Sequence, residues 1–181
     1  MNSPWISRPA VRRDPRQRGS KAPREYSMAD DRLRVLFICT GNSARSQMAE
    51  TVLRQLSHGR IDVASAGTTP QPDIHPMARQ AIRTLLHMEM SGQRPKPMQQ
   101  FLGDHFDYII SVCDRAGELC PVFPADPERI RWGFEDPAAV EGSDAEKQRA
   151  FDTVARQLVG RIRIWMCLPK IRATLEAVAG A

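Results

Sequence analysis

RVLFICTGNSARSQMAE, running from Arg34 to Glu50, is the stretch whose reading decides the fold. Val35, Leu36, Phe37 and Ile38 form a short apolar run of the kind a parallel strand buried on both faces requires. Cys39 follows, then a polar turn from Thr40 to Ala44, then Arg45 and a segment free of Gly and Pro, Ser46 to Leu56, that favours helix. A strand, a tight turn and a helix start thus succeed one another directly. The turn carries a thiol at its first position and a guanidinium at its last, with Gly41 and Asn42, residue types that tolerate left-handed backbone, between them.

Such a turn is a cradle for a tetrahedral oxyanion. Its successive N–H groups can point inward as an anion-binding nest, and the helix N-terminus adds partial positive charge. The oxyanion-binding residues are expected to be Thr40, Gly41, Asn42, Ser43, Ala44, Arg45 and Ser46, with Arg45 clamping two oxygens through its planar fork. The same field, with hydroxyls from Ser43 and Ser46, is expected to acidify the Cys39 thiol and make it a nucleophile. The GxxxxGK[ST] nucleotide-binding pattern is absent.

The length of 181 residues suits one domain with a substantial core. No apolar run approaches the roughly 18 residues needed to span a membrane, and residues 1–27 hold no apolar core of a signal peptide. The net charge of +5 belongs to those first residues, which carry seven Lys and Arg against Asp14 and Glu25. The rest of the chain is balanced, 19 basic against 19 acidic side chains, so its charge points to no nucleic-acid partner. Arg, Pro and Ser dominate residues 1–27, and a disordered basic extension over 1–30 followed by a single domain over 31–181 is expected. A solvated extension, or a start at Met28, accounts for it more simply than a nucleic-acid-binding arm.

Beyond the cradle, Met48, Val52, Leu53 and Leu56 mark one helix face, and Gly59 is expected to end that helix. Ile61 to Ala66 reads as a second strand, and a helix starting near Pro76 runs to about Met88. Gly92 to Pro97 reads as irregular, Tyr108 to Val112 as a third buried strand, and Ile130 to Trp132 as a fourth. The last long helix, about Asp144 to Leu168, carries Phe151, Val154, Leu158, Ile162 and Trp165 on one face, and Ile171 to Val178 suggests a short terminal helix. Strands alternating with helices predict an α/β fold, a three-layer sandwich around a central four-stranded parallel sheet. Ligands in such folds bind beyond the carboxyl ends of strands. Cys39, Cys113 and the segment after Trp132 all fall there.

Four cysteines, at 39, 113, 120 and 167, are too few and too uneven for a secreted disulfide scaffold, and reduced thiols in the cytoplasm are expected instead. Cys39 and Cys113 each lie at the end of a strand and are expected to be neighbours. Cys113 and Cys120, if helical, would stand about 10.5 Å apart along the axis. A disulfide needs Cα atoms within about 4.4–6.8 Å, so pairing them requires the segment to unwind. Two unrelated structural cysteines remain an alternative on spacing alone. Cys167 is expected to pack rather than react, and the four histidines show no metal-ligand spacing.

CTGNSARSQMAE, SAGTTP, IHPMA, SGQRPKP, VCDRAGELCPVFP and WGFEDPA together resemble the thioredoxin-coupled arsenate reductases, which share the low-molecular-weight protein tyrosine phosphatase fold. The resemblance spans about Leu33 to Pro169. It implies that Cys39 attacks arsenate held by the loop and Arg45 while Asp136 serves as general acid. Cys113 then attacks Cys39, arsenite leaves, Cys120 attacks Cys113, and the Cys113–Cys120 disulfide passes to thioredoxin. Phosphate and sulfate are expected as competing oxyanions, with no cofactor, no metal and no membrane partner. Gln47 stands where phosphatases of this fold place Pro, and Ala44 where many relatives carry a second loop cysteine. Some relatives hold potassium near the loop through Asn, Glu, Ser and Asp. Asn42, Glu50 and Ser65 match, but Lys96 stands at the Asp position, which implies that its ammonium replaces the ion. The competing readings are a phosphatase acting on phosphotyrosine through Cys39, Arg45 and Asp136, and a non-catalytic oxyanion sensor.

Overall fold

The Val35–Ile38 run is the centre of the sheet. In the computed structural model, which describes residues 32–113, 123 and 127–179, β1 (Arg34–Cys39) lies between β2 (Asp62–Gly67) and β3 (Tyr108–Ser111), with β4 (Glu128–Arg131) outermost. All the pairings are parallel, in the order β2-β1-β3-β4. Register sets Cys39 opposite Gly67 and Ile38 opposite Ser111, so the carboxyl ends of β1, β2 and β3 open on one edge. Residues 1–31, the expected extension, and Cys120 lie outside the described residues. Among the described residues no helix is long and apolar enough to cross a membrane.

Connections between parallel strands must cross over, and helices do so here. α1 (Arg45–Leu56) joins β1 to β2 and α2 (Pro76–Leu86) joins β2 to β3, while α3 (Asp144–Met166) and α4 (Pro169–Ala179) follow β4, giving the expected three-layer α/β sandwich. α1 is buried along Arg45–Leu53, polar positions included, because it is packed by the sheet, α2 and α3. Its end comes at Ser57, before Gly59, and His58 and Gly59 both take positive φ there. α2 stops at Leu86 because His87 turns left-handed, with its N–H on Arg83 O and the Met88 N–H on Ile82 O. α3 starts at a capping box: Ser143 Oγ accepts from Glu146 N, and the Glu146 carboxylate accepts from Ser143 N. Its stripe of Phe151, Val154, Leu158, Ile162 and Trp165 is buried as read from the sequence. Trp165 meets Tyr108 and Trp132 edge-on, and Trp132 packs on Phe37 of the central strand.

Phe101 lies in a 3-10 turn, Met98–Phe101, that follows the Pro-rich stretch. One expectation changes. Cys167 is exposed at the C-terminal cap of α3, because the helix turns its Ile162 and Trp165 face inward and ends before the chain reaches the core again.

Gly67 closes β2 directly under the loop. A Cβ there would stand 2.7 Å from Thr40 O and 3.0 Å from Asn42 Cβ, and its N–H donates to Lys96 O at 2.9 Å. Backbone cannot yield as a side-chain tip can. Gly67→Ala is therefore expected to lower stability by about 1–3 kcal/mol and to weaken sulfate binding several-fold, read by thermal melting and calorimetry. An unchanged melting temperature would remove this account of the glycine.

Candidate active site

The loop Thr40–Ala44 joins β1 to α1, and Asn42 takes the left-handed conformation, φ 44°. Gly41 keeps negative φ; its own constraint is steric, since a Cβ would stand 3.2 Å from Gln71 Cγ. Ala44 occupies the N-cap of α1 without a capping side chain, which leaves the first N–H groups of the helix for an anion.

A loop that turns N–H groups inward must turn carbonyls outward, and those need donors. The segment after β2 supplies them. Thr68 N donates to Cys39 O at 3.2 Å, Thr69 N to Thr40 O at 2.9 Å, Gln71 N to Gly41 O at 2.8 Å and His75 N to Ser43 O at 2.8 Å. Met48 N, in α1, takes Ala44 O at 2.8 Å. The loop is thus strapped from outside, carbonyl by carbonyl.

Beneath it lies a buried polar knot centred on Asn42. Its Nδ2 donates to Ser46 Oγ at 2.8 Å and Ser65 Oγ at 2.9 Å, while its Oδ1 accepts from Gln47 Nε2 at 3.0 Å and Lys96 N at 2.7 Å. Both donors and both acceptor positions of the amide are used. Ser46 Oγ, which accepts from Asn42, is also hydrogen-bonded with Cys39 Sγ, 2.8 Å away, and its hydrogen is free to be donated to the sulfur when that is a thiolate. Ser65 passes its own hydrogen to the buried Glu50 carboxylate. That carboxylate lies between two cations: Lys96 Nζ at 3.2 Å from Oε2, and Arg54, which donates to Oε1. The Lys96 ammonium thus stands against Glu50, where the resemblance would have put potassium, and this set of residues does not fit that ion. Among the described residues no other group of His, Cys, Asp and Glu could hold a metal.

Cys39 is buried, with Asn42 N donating to its sulfur at 3.1 Å. The expected acidification is reversed. Burial pushes the thiol up from its ordinary value, outweighing the hydrogen bonds from Ser46 and Asn42, and the neighbouring Cys113 adds to the rise. Arg45, the cation expected beside the thiol, has partners of its own: Nη2 pairs with Asp136 Oδ2 at 2.7 Å and Nη1 donates to Phe134 O at 3.0 Å. Asp136 also accepts from Ala138 N at 3.2 Å as the cap of the 3-10 turn Pro137–Ala139, so the turn residue and the candidate acid are one. It stands on the rim of a cavity of about 420 Å³ between Phe134–Val140 and the first half of α3. Cys113 is buried just past β3, its sulfur 3.6 Å from Thr40 Oγ1, so the two strand-end cysteines are neighbours as expected.

Several partners carried no sequence signal: the strap, whose bonds are all backbone, and the Phe134 carbonyl. The i, i+4 spacing of Glu50 and Arg54 was the one signal that could have revealed that pair.

The chain matches the low-molecular-weight phosphotyrosine protein phosphatase family over residues 34–167 and belongs to it. Within that family its similarity runs to reductases. It is 36% identical to an arsenate reductase of Halalkalibacterium halodurans over 129 residues, 71% of this chain and 91% of that one. An arsenate reductase solved in a phosphate-binding state superposes with a TM-score of 0.59 at 30% identity, covering 74% of this chain and 96% of that one. The thioredoxin-dependent arsenate reductase of Corynebacterium glutamicum gives a TM-score of 0.53 at 29% identity over 74% of this chain and 63% of its own.

Two measurements check the site. Ser46→Ala removes a hydrogen bond that lowers the Cys39 pKa, so the thiolate fraction falls and iodoacetamide alkylation at neutral pH is expected to slow several-fold. Turnover in potassium and sodium salts of equal ionic strength is expected to be the same. A several-fold gain in potassium would show that Lys96 leaves room for the ion.

Proposed function

We propose that this protein reduces arsenate to arsenite through Cys39, Cys113 and Cys120, with thioredoxin as the dithiol reductant. The observation that carries the reading is Cys113, buried beside the loop and electrostatically coupled to Cys39. A phosphatase needs no second thiol there. Similarity to curated arsenate reductases supports the reaction, and the thioredoxin-dependent relative supports the reductant.

Arsenate enters the loop and takes the Arg45 fork, displacing Asp136. The loop amides and the N-terminus of α1 hold its equatorial oxygens. The Cys39 thiolate attacks arsenic, and an oxygen leaves as water with a proton from Asp136. The Cys113 thiolate then attacks Cys39 Sγ. The arsenic–sulfur electron pair stays on arsenic, which becomes arsenite, and the two thiols become one disulfide. Attack by Cys120 on Cys113 restores the Cys39 thiolate and moves the disulfide to Cys113–Cys120. Two electrons from thioredoxin close the cycle. Ser46, held by Asn42 within hydrogen-bond distance of the sulfur, stabilises Cys39 as both nucleophile and leaving group. Such a thiol cycle fits a reducing cytoplasm.

The test is arsenate-dependent NADPH oxidation with thioredoxin and thioredoxin reductase. Wild type is expected to turn over, and Cys113→Ser and Cys120→Ser each to lose steady-state activity by a hundredfold or more. Full activity in both variants would overturn the relay. Aryl phosphate hydrolysis indifferent to both substitutions would favour the phosphatase.

A further inference from the structure

His75 is a titratable group at the site that the mechanism above does not use. It is the N-cap of α2, and its Nδ1 accepts from Met77 N at 3.2 Å, so in this arrangement the ring proton sits on Nε2. Its backbone N–H holds the loop at Ser43 O. Its ring stacks on Phe151 of α3, centroids 4.5 Å apart. One residue thus touches the loop, α2 and α3 together. The neighbours of Phe151 on α3, Ala150 and Val154, line the cavity on whose rim Asp136 stands.

The charges around it are few. Asp73 and Arg79, on its own side, pair with each other at 3.5 Å. On α3, Lys147 lies one turn before Phe151, and Asp152 beyond it accepts from Gln148. The Asp136 carboxylate acts electrostatically on the imidazole, favouring its protonated form against the effect of burial. Protonation would turn Nδ1 from acceptor to donor, set it against Met77 N–H, and force the ring off its seat.

We propose that His75 is a positioning residue for the oxyanion loop, keeping the start of α2 and its own N–H seated at Ser43 O only while its imidazole is neutral. This role rests on the reductase reading for its rate consequence, though not for its coupling to Asp136. Burial lowers the imidazole pKa below its ordinary value, and Asp136 partly restores it. The neutral form therefore contributes stability above the ordinary value of about 6.5, which is lost as pH falls toward the lowered one.

Arsenate turnover from pH 5 to 8 tests it in wild type, His75→Asn and His75→Ala. Asn keeps a capping oxygen without a proton to gain. Wild type is expected to lose kcat/KM several-fold in acid. His75→Asn should show a flatter acid limb with near wild-type activity at neutral pH, and His75→Ala a several-fold loss throughout. An Asn profile superimposed on wild type, or an Ala variant equal to it, would overturn the role. Imidazole titration by NMR gives a reading independent of turnover: the His75 midpoint should lie below the ordinary value and fall further in Asp136→Asn, and identical midpoints in the two proteins would overturn the coupling. A wild type that titrates as expected but turns over no arsenate at any pH would sink the reductase reading alone.

Discussion

An anion can be bound by backbone only if the backbone gives up the conformations in which it satisfies itself. The loop after β1 turns N–H groups toward one point, and every carbonyl turned the other way would cost about 1–3 kcal/mol if buried without a donor. The segment Thr68–His75 removes that cost by donating along the loop in step. This explains why β2 must lie beside β1 in parallel register: Cys39 opposite Gly67 brings the following residues alongside the loop. Gly67 has no side chain because two backbones have to pass there within contact distance. The strand order, the glycine and the cradle are consequences of one requirement.

The knot beneath the loop meets the same requirement from inside. Ser46, Gln47, Glu50 and Thr51 sit on the buried part of α1, where unpaired polar groups would be costly, and each is paired. Glu50 is tolerated because Lys96 and Arg54 flank it. Held this way, Asn42 keeps Ser46 Oγ within hydrogen-bond distance of Cys39 Sγ, where its hydroxyl can donate to a thiolate. Preorganisation of the nucleophile begins some distance away, at a pair of cations on an α-helix and a Pro-rich loop.

Much of this was legible in the sequence because burial writes itself as composition. The strands are apolar runs, the helices carry stripes, and Cys39 to Arg45 announces an oxyanion by chemistry and spacing. The rest was not, for identifiable reasons. Backbone-to-backbone straps leave no mark on side-chain identity, so the tie between Thr68–His75 and the loop could not be read. Lys96 was placed by resemblance, but its partner Glu50 sits 46 residues away, and only folding brings them together. The acidification expected for Cys39 failed because it left out burial of the sulfur, which raises the thiol pKa more than the Ser46 and Asn42 hydrogen bonds lower it. Cys167 was misplaced because a stripe argument does not say where a helix ends relative to the core.

The Arg45–Asp136 pair also sets what kind of ion can enter. The guanidinium has a unit countercharge of the protein's own at 2.7 Å. A monovalent anion that displaces the carboxylate returns one negative charge for one and gains little, while Asp136 loses its partner. A divalent anion brings a second unit into the field of the helix terminus and the inward amides, where Coulomb energy is less screened than in water. Selection is therefore by ionic valence before it is by shape. A carboxylate of the protein's own thus sets the charge that an entering anion has to better.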